Sequence, residues 1–270
     1  MDAITNLCDA IGKQALGVAS YYVDMRLHAA VCCVFVHPNN HLHCSFPTGH
    51  HLQPGDALTI HLDNRTGVSE YDAELSVYRA SYKGQILRVY HDMVEVAPRE
   101  CMVMFGNKTV LGIQAADYAY PHDSRPLQAI PASPLTAVPP MDDTERMNKV
   151  GVLITRAPQQ PHSTVMAFLS SIHDDIFFIT FDESFKMAVL QRDQRCLFAI
   201  DSRADFTFVN AIQWNYSLIH GHVHHIARSS PLFNPIKELF IAKNPWEVGF
   251  FDHPSVQLYH IQPVASVSAS

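Results

Sequence analysis

The sequence has no excess of basic residues, no cysteines at redox or metal-binding spacing, and no long apolar run. Its 19 lysines and arginines are outnumbered by 26 acidic residues, giving a formal net charge of −7 at pH 7. That balance argues against a broad nucleic-acid-binding surface. The longest strongly apolar run, residues 29–36, is far shorter than the ~20 residues of a membrane helix. We therefore expect neither nucleic acid nor membrane as a partner.

Several catalytic motifs are also missing. The sequence contains no G-x-S-x-G, no P-loop, no G-x-G-x-x-G and no H-E-x-x-H, which argues against the hydrolase, nucleotide-binding and zinc-protease classes that carry them. The six cysteines form no C-x-x-C pair, so reduced, structural thiols are expected. Asp2 and Asp9 precede the first apolar run without a basic residue. This start is unlike a signal peptide and favours a cytoplasmic protein.

Histidine is abundant, with 17 residues. The densest run is His220-Gly221-His222-Val223-His224-His225. On a strand, alternate residues share a face and lie ~6.6 Å apart, so at most two of these imidazoles can bind one metal ion. An exposed polar strand face is the favoured interpretation. A more specific alternative is that one histidine binds the iron of haem. The sequence does not indicate which of His220, His222, His224, His253 and His260 it would be. The six histidines between positions 37 and 61 are expected in solvated loops.

Proline marks the predicted domain boundary. Six of the 17 prolines fall between Tyr120 and Met141, where they exclude a regular helix or central strand. The sequence therefore predicts an N-terminal β-rich domain over residues 1–120, a linker over residues 121–144 and a C-terminal domain over residues 145–270.

The first half has mostly strand-like patterns. A helix is predicted from Asp2 to about Ala15, followed by an apolar stretch of undetermined type up to Val36. Apolar and polar residues alternate over positions 58–62, and further runs follow at hairpin spacing, the first of them over residues 73–79. These features predict a small antiparallel barrel or sandwich.

The second half predicts the order β-β-β-α-β-β-α-β, and hence a mainly β, α+β fold. Its first helix is expected from an Asp182 N-cap to Leu190, with Phe185 on the buried face. A strand is expected over residues 206–219. The second helix is expected to begin at Pro235 after an Asn234 N-cap.

Four stretches carry a family resemblance: VGVLIT, PHSTVMAF, DDIFFITFDESFKMAVLQRDQRCLFAI and SLIHGHVHHI. With Thr180, Ser184, Lys186 and Gly221 at their characteristic places, residues 145–264 resemble the pyridoxamine 5′-phosphate oxidase-like superfamily. The resemblance implies a six-stranded FMN-binding split barrel that forms a homodimer, with FMN, a deazaflavin or haem at the dimer interface.

The residues themselves are compatible with a phosphate anchor. A helix beginning near Asp182 would present free backbone N–H groups to an anion, with the Thr180 and Ser184 hydroxyls and the Lys186 ammonium beside them. Ser184 and Lys186 are equally compatible with an ordinary solvated first turn. Asp182 itself would oppose a phosphate.

The start of the next candidate strand departs from the family pattern. His162, Ser163 and Thr164 occupy the place where the resemblance implies a basic residue against the flavin, and no arginine is present. Tyr216 stands where the oxidase itself carries glutamine. The sequence therefore predicts an FMN-dependent oxidoreductase acting on a small molecule, distinct from pyridoxamine phosphate oxidase. The second hypothesis is a non-catalytic, regulatory protein that holds haem or a small ligand on the same barrel.

Overall fold

The computed structural model describes residues 4–65, 77–201 and 216–269. The chain forms two compact units. The described part of the first unit comprises residues 4–65, 77–122 and 157–164, and that of the second comprises residues 123–156, 165–201 and 216–269. The predicted strand positions 73–76 and 206–215 lie outside the described residues.

The described first unit is built mainly of long strands. Its elements are α1 (Leu7–Ile11), β1 (Gln14–Val23), β2 (Arg26–Val36), β3 (Leu42–Ser45), β4 (Ala57–Asp63), β5 (Tyr78–Tyr90), β6 (Met93–Phe105) and β7 (Lys108–Gln114).

Strands β1 to β6 close into an antiparallel barrel. The strand order is β3-β2-β1-β4-β5-β6-β7, and β3 pairs with both β2 and β6. This pairing closes six strands on themselves and removes their free edges. The core contains Val34, Ile60, Tyr82 and Val96, all fully buried. The predicted small antiparallel barrel is confirmed.

The helix predicted from Asp2 to Ala15 begins outside the described residues, and its described part, from residue 4 onward, is wrong in extent. The structure has one short turn of helix, α1, which the Asn6 side chain caps together with Asp9. Gly12 then adopts a φ of 90°, which ends the helix because only glycine takes this conformation readily. From Gln14 onward the chain pairs with β2 over ten residue pairs, so strand pairing overrides local helical preference there.

The described second unit contains a curled sheet and short helices. Its elements are β8 (Val150–Thr155), β9 (His162–Ala167, in this unit from Val165), β10 (Leu169–Ser170), β11 (Ile176–Phe181), α2 (Phe185–Leu190), β12 (Arg195–Asp201), β13 (Tyr216–Ile226), α3 (Phe233–Lys243), α4 (Val248–Phe251) and β14 (Val256–Ala269). Short 3-10 turns cover Asp143–Glu145 and Pro245–Glu247.

The sheet of the second unit has the order β10-β11-β14-β13-β12-β8-β9 and curls into a half-barrel. Alternate residues of β11 enter two different apolar cores. Phe178 packs in the core that includes Met187 of α2, whereas Phe177 packs in the core that includes Phe240 of α3. Both faces of the strand are therefore buried, which explains its continuous apolar sequence. The predicted α+β class is confirmed. The predicted strands and helices occur in the predicted order, with the short strand β10 and the short helix α4 in addition.

The predicted start of α2 is wrong by two residues. Ser184, not Asp182, is the N-cap residue. The Asp182 carboxylate instead accepts a hydrogen bond of 2.7 Å from the Tyr259 hydroxyl, so it is not free to cap the helix. Phe185, predicted to be buried, is 51% exposed.

The predicted start of α3 is also displaced. Leu232 occupies the N-cap position, so Asn234 and Pro235 lie within the first turn. Proline is tolerated there because the first-turn N–H groups have no partner inside the helix.

The proline-rich segment is extended and, from Asp123 onward, belongs to the second unit. The Ser133 N–H donates to the His225 carbonyl at 2.9 Å, and the His225 N–H donates to the Pro131 carbonyl at 2.8 Å. Apolar side chains of the segment also pack on the cores of this unit: Ile130, Leu135, Val138 and Met141. The segment predicted as a linker is thus anchored along β13. Within the described ranges, no helix has the length and apolar character needed to cross a membrane.

Candidate functional site

Three predicted site residues meet around the start of α2. Thr180 lies near the end of β11, and the chain then turns through residues 182–184 into the helix. The hydroxyls of Thr180 and Ser184 are 3.3 Å apart. The Ser184 side chain makes no hydrogen bond to the helix backbone, so its hydroxyl is not used as a cap.

Lys186 lies in the first turn of α2 and is half-buried. Among the described residues its ammonium has no hydrogen-bond or ion-pair partner. Burial lowers the pKa of Lys186 to about 8, because withdrawal from water disfavours the charged amine. A bound anion would compensate for that lost hydration.

The other three predicted site residues belong to the first unit. The His162 Nε2 atom lies 3.0 Å from the Thr164 Oγ1 atom. Ser163 is buried, and its hydroxyl has no hydrogen-bond partner among the described residues. The six predicted residues therefore form two groups of three, one group in each unit.

A cavity of about 390 Å³ lies in the second unit. Its lining is mostly cationic or polar and comprises Arg125, Gln128, Arg192, Asp193, Gln194, Arg195, His222 and His224. These arginines were not among the predicted site residues. The Arg-x-x-Arg spacing at positions 192–195 is a local signal, whereas Arg125 is brought to the cavity by the tertiary course of the proline-rich segment.

Asp193 organises the cationic groups around this cavity. Its Oδ2 atom lies 2.7 Å from Nη2 of Arg195, 3.3 Å from Nε of Arg156 and 3.4 Å from Nη1 of Arg125. Burial raises the pKa of Asp193, but hydrogen bonds from Arg195 and the nearby guanidinium charges outweigh burial and hold this pKa below its usual value. The carboxylate therefore stays ionised and fixes the arginines in place.

The histidine run lies on β13 with the alternation expected of a strand. His220 and His222 are exposed, whereas Gly221 and Val223 are buried. His222 and the half-buried His224 line the cavity, and burial lowers the pKa of His224. The described residues contain no group of three or more histidine, cysteine, aspartate or glutamate side chains arranged to hold a metal ion.

His260, one of the histidines considered as a haem ligand, is fully buried. Its Nε2 atom lies 2.8 Å from Oδ1 of Asp175, and its Nδ1 atom lies 2.9 Å from Oγ of Ser133. Both ring nitrogens are therefore engaged within the second unit, which leaves neither of them for an iron atom.

No protein-family model and no curated protein matches the chain. Among solved structures, the haem storage protein HutZ from Vibrio cholerae is 15% identical, with 47% of this chain and 88% of that chain covered and a TM-score of 0.38. A candidate pyridoxamine 5′-phosphate oxidase from Listeria innocua is 20% identical, with 44% and 87% covered and a TM-score of 0.31. A FAD-binding protein from Mesorhizobium loti is 12% identical, with 46% and 86% covered and a TM-score of 0.36.

Split-barrel proteins of the pyridoxamine 5′-phosphate oxidase-like type, the group that the sequence resembles, are thus among the structural neighbours. The neighbours include flavin-binding and haem-binding proteins. Each of these similarities covers less than half of this chain.

Proposed function

We propose that the second unit binds FMN and that the protein is a flavin-dependent oxidoreductase acting on a small molecule. The observation that carries this proposal is Lys186, a half-buried ammonium with no anionic partner among the described residues. A phosphate monoester supplies the missing negative charge and accepts hydrogen bonds from the Ser184 and Thr180 hydroxyls. Bound flavin supplies the redox chemistry, and this chain supplies the anchor for its phosphate.

The anchor differs from an arginine clamp. Lysine acts on a phosphate as a compact point charge, without the bidentate geometry of a guanidinium. The cofactor-binding role of His162, Ser163 and Thr164, which belong to the first unit, stays a prediction. The homodimer and the cytoplasmic location likewise stay predictions, and sedimentation of the purified protein in the presence and absence of FMN tests the dimer.

Haem is the second candidate ligand, and the composition of the cavity supports it. His222 is exposed at the cavity beside Arg192 and Arg195. An imidazole can bind haem iron, and guanidinium groups pair with the carboxylates of the porphyrin. In this case the protein would hold its ligand without acting on a substrate.

Absorption and fluorescence titrations with FMN and with haemin separate the two candidates. If FMN is the ligand, Lys186→Ala weakens its binding by about tenfold or more, as expected for the loss of a charged hydrogen bond. Lys237→Ala, which removes a half-buried lysine from α3, leaves the affinity unchanged. If haem is the ligand, haemin binds with a Soret shift that His222→Ala abolishes. Wild-type protein that binds neither compound contradicts both candidates.

A further inference from the structure

A second chemically competent arrangement lies in the second unit and shares no residue with the proposed FMN site. The Ser133 hydroxyl, the His260 imidazole and the Asp175 carboxylate form a continuous hydrogen-bonded chain. The Ser133 Oγ atom is 2.9 Å from Nδ1 of His260, and Nε2 of His260 is 2.8 Å from Oδ1 of Asp175. These three residues come from the proline-rich segment, β14 and the turn before β11.

The direction of each hydrogen bond follows from the partners. Asp175 is ionised, because hydrogen bonds from His260 and Ser171 outweigh the effect of burial and keep its pKa below the usual value. An ionised carboxylate only accepts hydrogen bonds, so Nε2 of His260 carries the proton. Its Nδ1 atom then has a free lone pair and accepts a hydrogen bond from Ser133.

A second contact fixes the orientation of the serine hydroxyl. The Leu135 backbone N–H donates to the Ser133 Oγ atom at 3.3 Å. This leaves the single hydroxyl hydrogen of Ser133 directed at His260. A nucleophile is therefore hydrogen-bonded to its base, and the base is hydrogen-bonded to a group that orients it. This arrangement activates serine for covalent catalysis.

The position of Ser133 also suits contact with an external molecule. Pro131, Ala132 and Pro134 are exposed, and Ser133 itself is half-buried. The base is held more rigidly, since the His260 ring is fully buried and stacks on Phe177 with ring centroids 5.2 Å apart. The nucleophile thus lies at the surface and its base lies beneath it.

We propose that Ser133 is a catalytic nucleophile that accepts acyl groups from small carboxylic esters, with His260 as its general base and Asp175 as the residue that positions His260. The Ser133 Oγ atom forms a bond to the ester carbonyl carbon as its proton passes to Nδ1 of His260. The carbon–oxygen bond to the alcohol breaks, and the alcohol leaves with that proton. Water then hydrolyses the acyl-serine by the same route, releasing the acid and restoring Ser133.

An alkyl fluorophosphonate tests the nucleophile directly in the full-length protein. Its phosphorus forms a bond to Ser133 Oγ while the phosphorus–fluorine bond breaks, and the serine proton leaves with fluoride. We expect mass spectrometry of the digested wild-type protein to locate the adduct on Ser133. Ser133→Ala abolishes this labelling, whereas Ser217→Ala, at a half-buried serine of β13 paired with Ser268, labels at the wild-type rate.

Kinetics with 4-nitrophenyl acetate test the base and its orientation. Asp175→Asn is expected to lower kcat/KM by about 10²-fold or more. We expect the labelling rate at Ser133 in the wild-type protein to fall in acid, as general-base catalysis requires. The titratable groups that face His260 are Asp175 and His224, and His173 lies beside Asp175. A structural hydrogen-bond network would give no such pH profile.

The proposal is overturned if wild-type Ser133 carries no adduct, or if Ser133→Ala hydrolyses the ester as fast as the wild type. The mapped adduct on the wild-type protein decides the matter even if Asp175→Asn does not fold. Neither readout requires a cofactor, so failure here is distinct from failure of the FMN titration.

Discussion

The Nε2 atom of His260 lies 2.8 Å from Oδ1 of Asp175, and both residues are withdrawn from water. The other carboxylate oxygen of Asp175 accepts a hydrogen bond of 2.7 Å from the Ser171 hydroxyl. The charge of Asp175 is therefore satisfied on both oxygens, and the loop between β10 and β11 is joined to β14. The hydrogen bond between Asp175 and His260 therefore orients the His260 ring and also links this loop to β14.

The first prediction concerns Asp175 and acid. Its folded pKa is lowered, so its stabilising effect is present above the unfolded pKa of ~3.9 and is lost as pH falls through the folded pKa. We expect Asp175→Asn to lower the free energy of unfolding by about 2 kcal/mol at neutral pH, as expected for the loss of hydrogen bonds to a charged group. The variant should lose less further stability in acid than the wild type. Urea unfolding over a pH series measures both. Asp252→Asn, at an exposed position, serves as the control, and parallel pH curves for wild type and Asp175→Asn would contradict the prediction.

The second prediction concerns the pH dependence of FMN binding. Burial lowers the pKa of Lys186 to about 8, so its ammonium loses its proton in mildly alkaline solution. We expect FMN affinity to fall about tenfold between about pH 7 and about pH 9. Lys186→Arg keeps its charge over this range and should flatten the curve. The same pH dependence in both proteins, measured by flavin fluorescence, would exclude Lys186 as its source.

The third prediction concerns Lys243, a buried lysine on α3. Its Nζ atom lies 3.6 Å from the centre of the Phe168 ring and has no hydrogen-bond partner among the described residues. Burial lowers the pKa of Lys243 to about 7. The unfolded chain therefore binds this proton more tightly, and wild-type stability should rise with pH from about 7 to about 10.

Replacing Lys243 by methionine removes the cost of burying the charge. We expect Lys243→Met to raise the free energy of unfolding at neutral pH by on the order of 1 to 2 kcal/mol and to abolish the rise in stability with pH. Lys237→Met on the same helix should do neither. A Lys243→Met protein less stable than the wild type throughout this pH range would show that the lysine contributes a favourable contact.

The fourth prediction concerns Gly221 in the middle of β13. A Cβ atom at this position would contact Cγ2 of Ile261 and lie 2.6 Å from the backbone oxygen of Gln262. The backbone of a paired strand cannot move far enough to relieve these close contacts. We therefore expect Gly221→Ala to lower the free energy of unfolding by about 2 kcal/mol. Gly112→Ala, whose Cβ would meet no atom of the described part of the chain within 4 Å, provides the matched control in chemical denaturation. Equal midpoints for the two variants would show that the sheet accommodates the methyl group.

The sequence predicted best those elements whose pattern is local. Alternation at residues 58–62 corresponds to β4 (Ala57–Asp63), and the apolar residues 176–181 correspond to β11. It failed at α1, where helical preference in the first residues gave way to ten strand pairs with β2. It also failed at Asp182, a good N-cap by type, because Tyr259 from a distant strand holds the carboxylate.

Part of the candidate site was also local. Thr180, Ser184 and Lys186 lie within seven positions of one another, so a strand–turn–helix pattern suffices to place them together. That Lys186 has no ionic partner among the described residues could not be predicted, because it depends on which distant side chains reach α2. The arginine-lined cavity combines residues from position 125 to position 224, and no spacing rule links them.

The sequence by itself determined the mainly β class, the order of the longer elements of the second half and the small cluster at the start of α2, since each depends on a local sequence pattern or on neighbouring residues. Only the tertiary structure decided the closure of the six-stranded barrel and the meeting of Ser133 with His260, 127 positions later in the chain. Both depend on strand register and on where the proline-rich segment lies. These are set by long-range pairing and burial, which a local pattern does not encode.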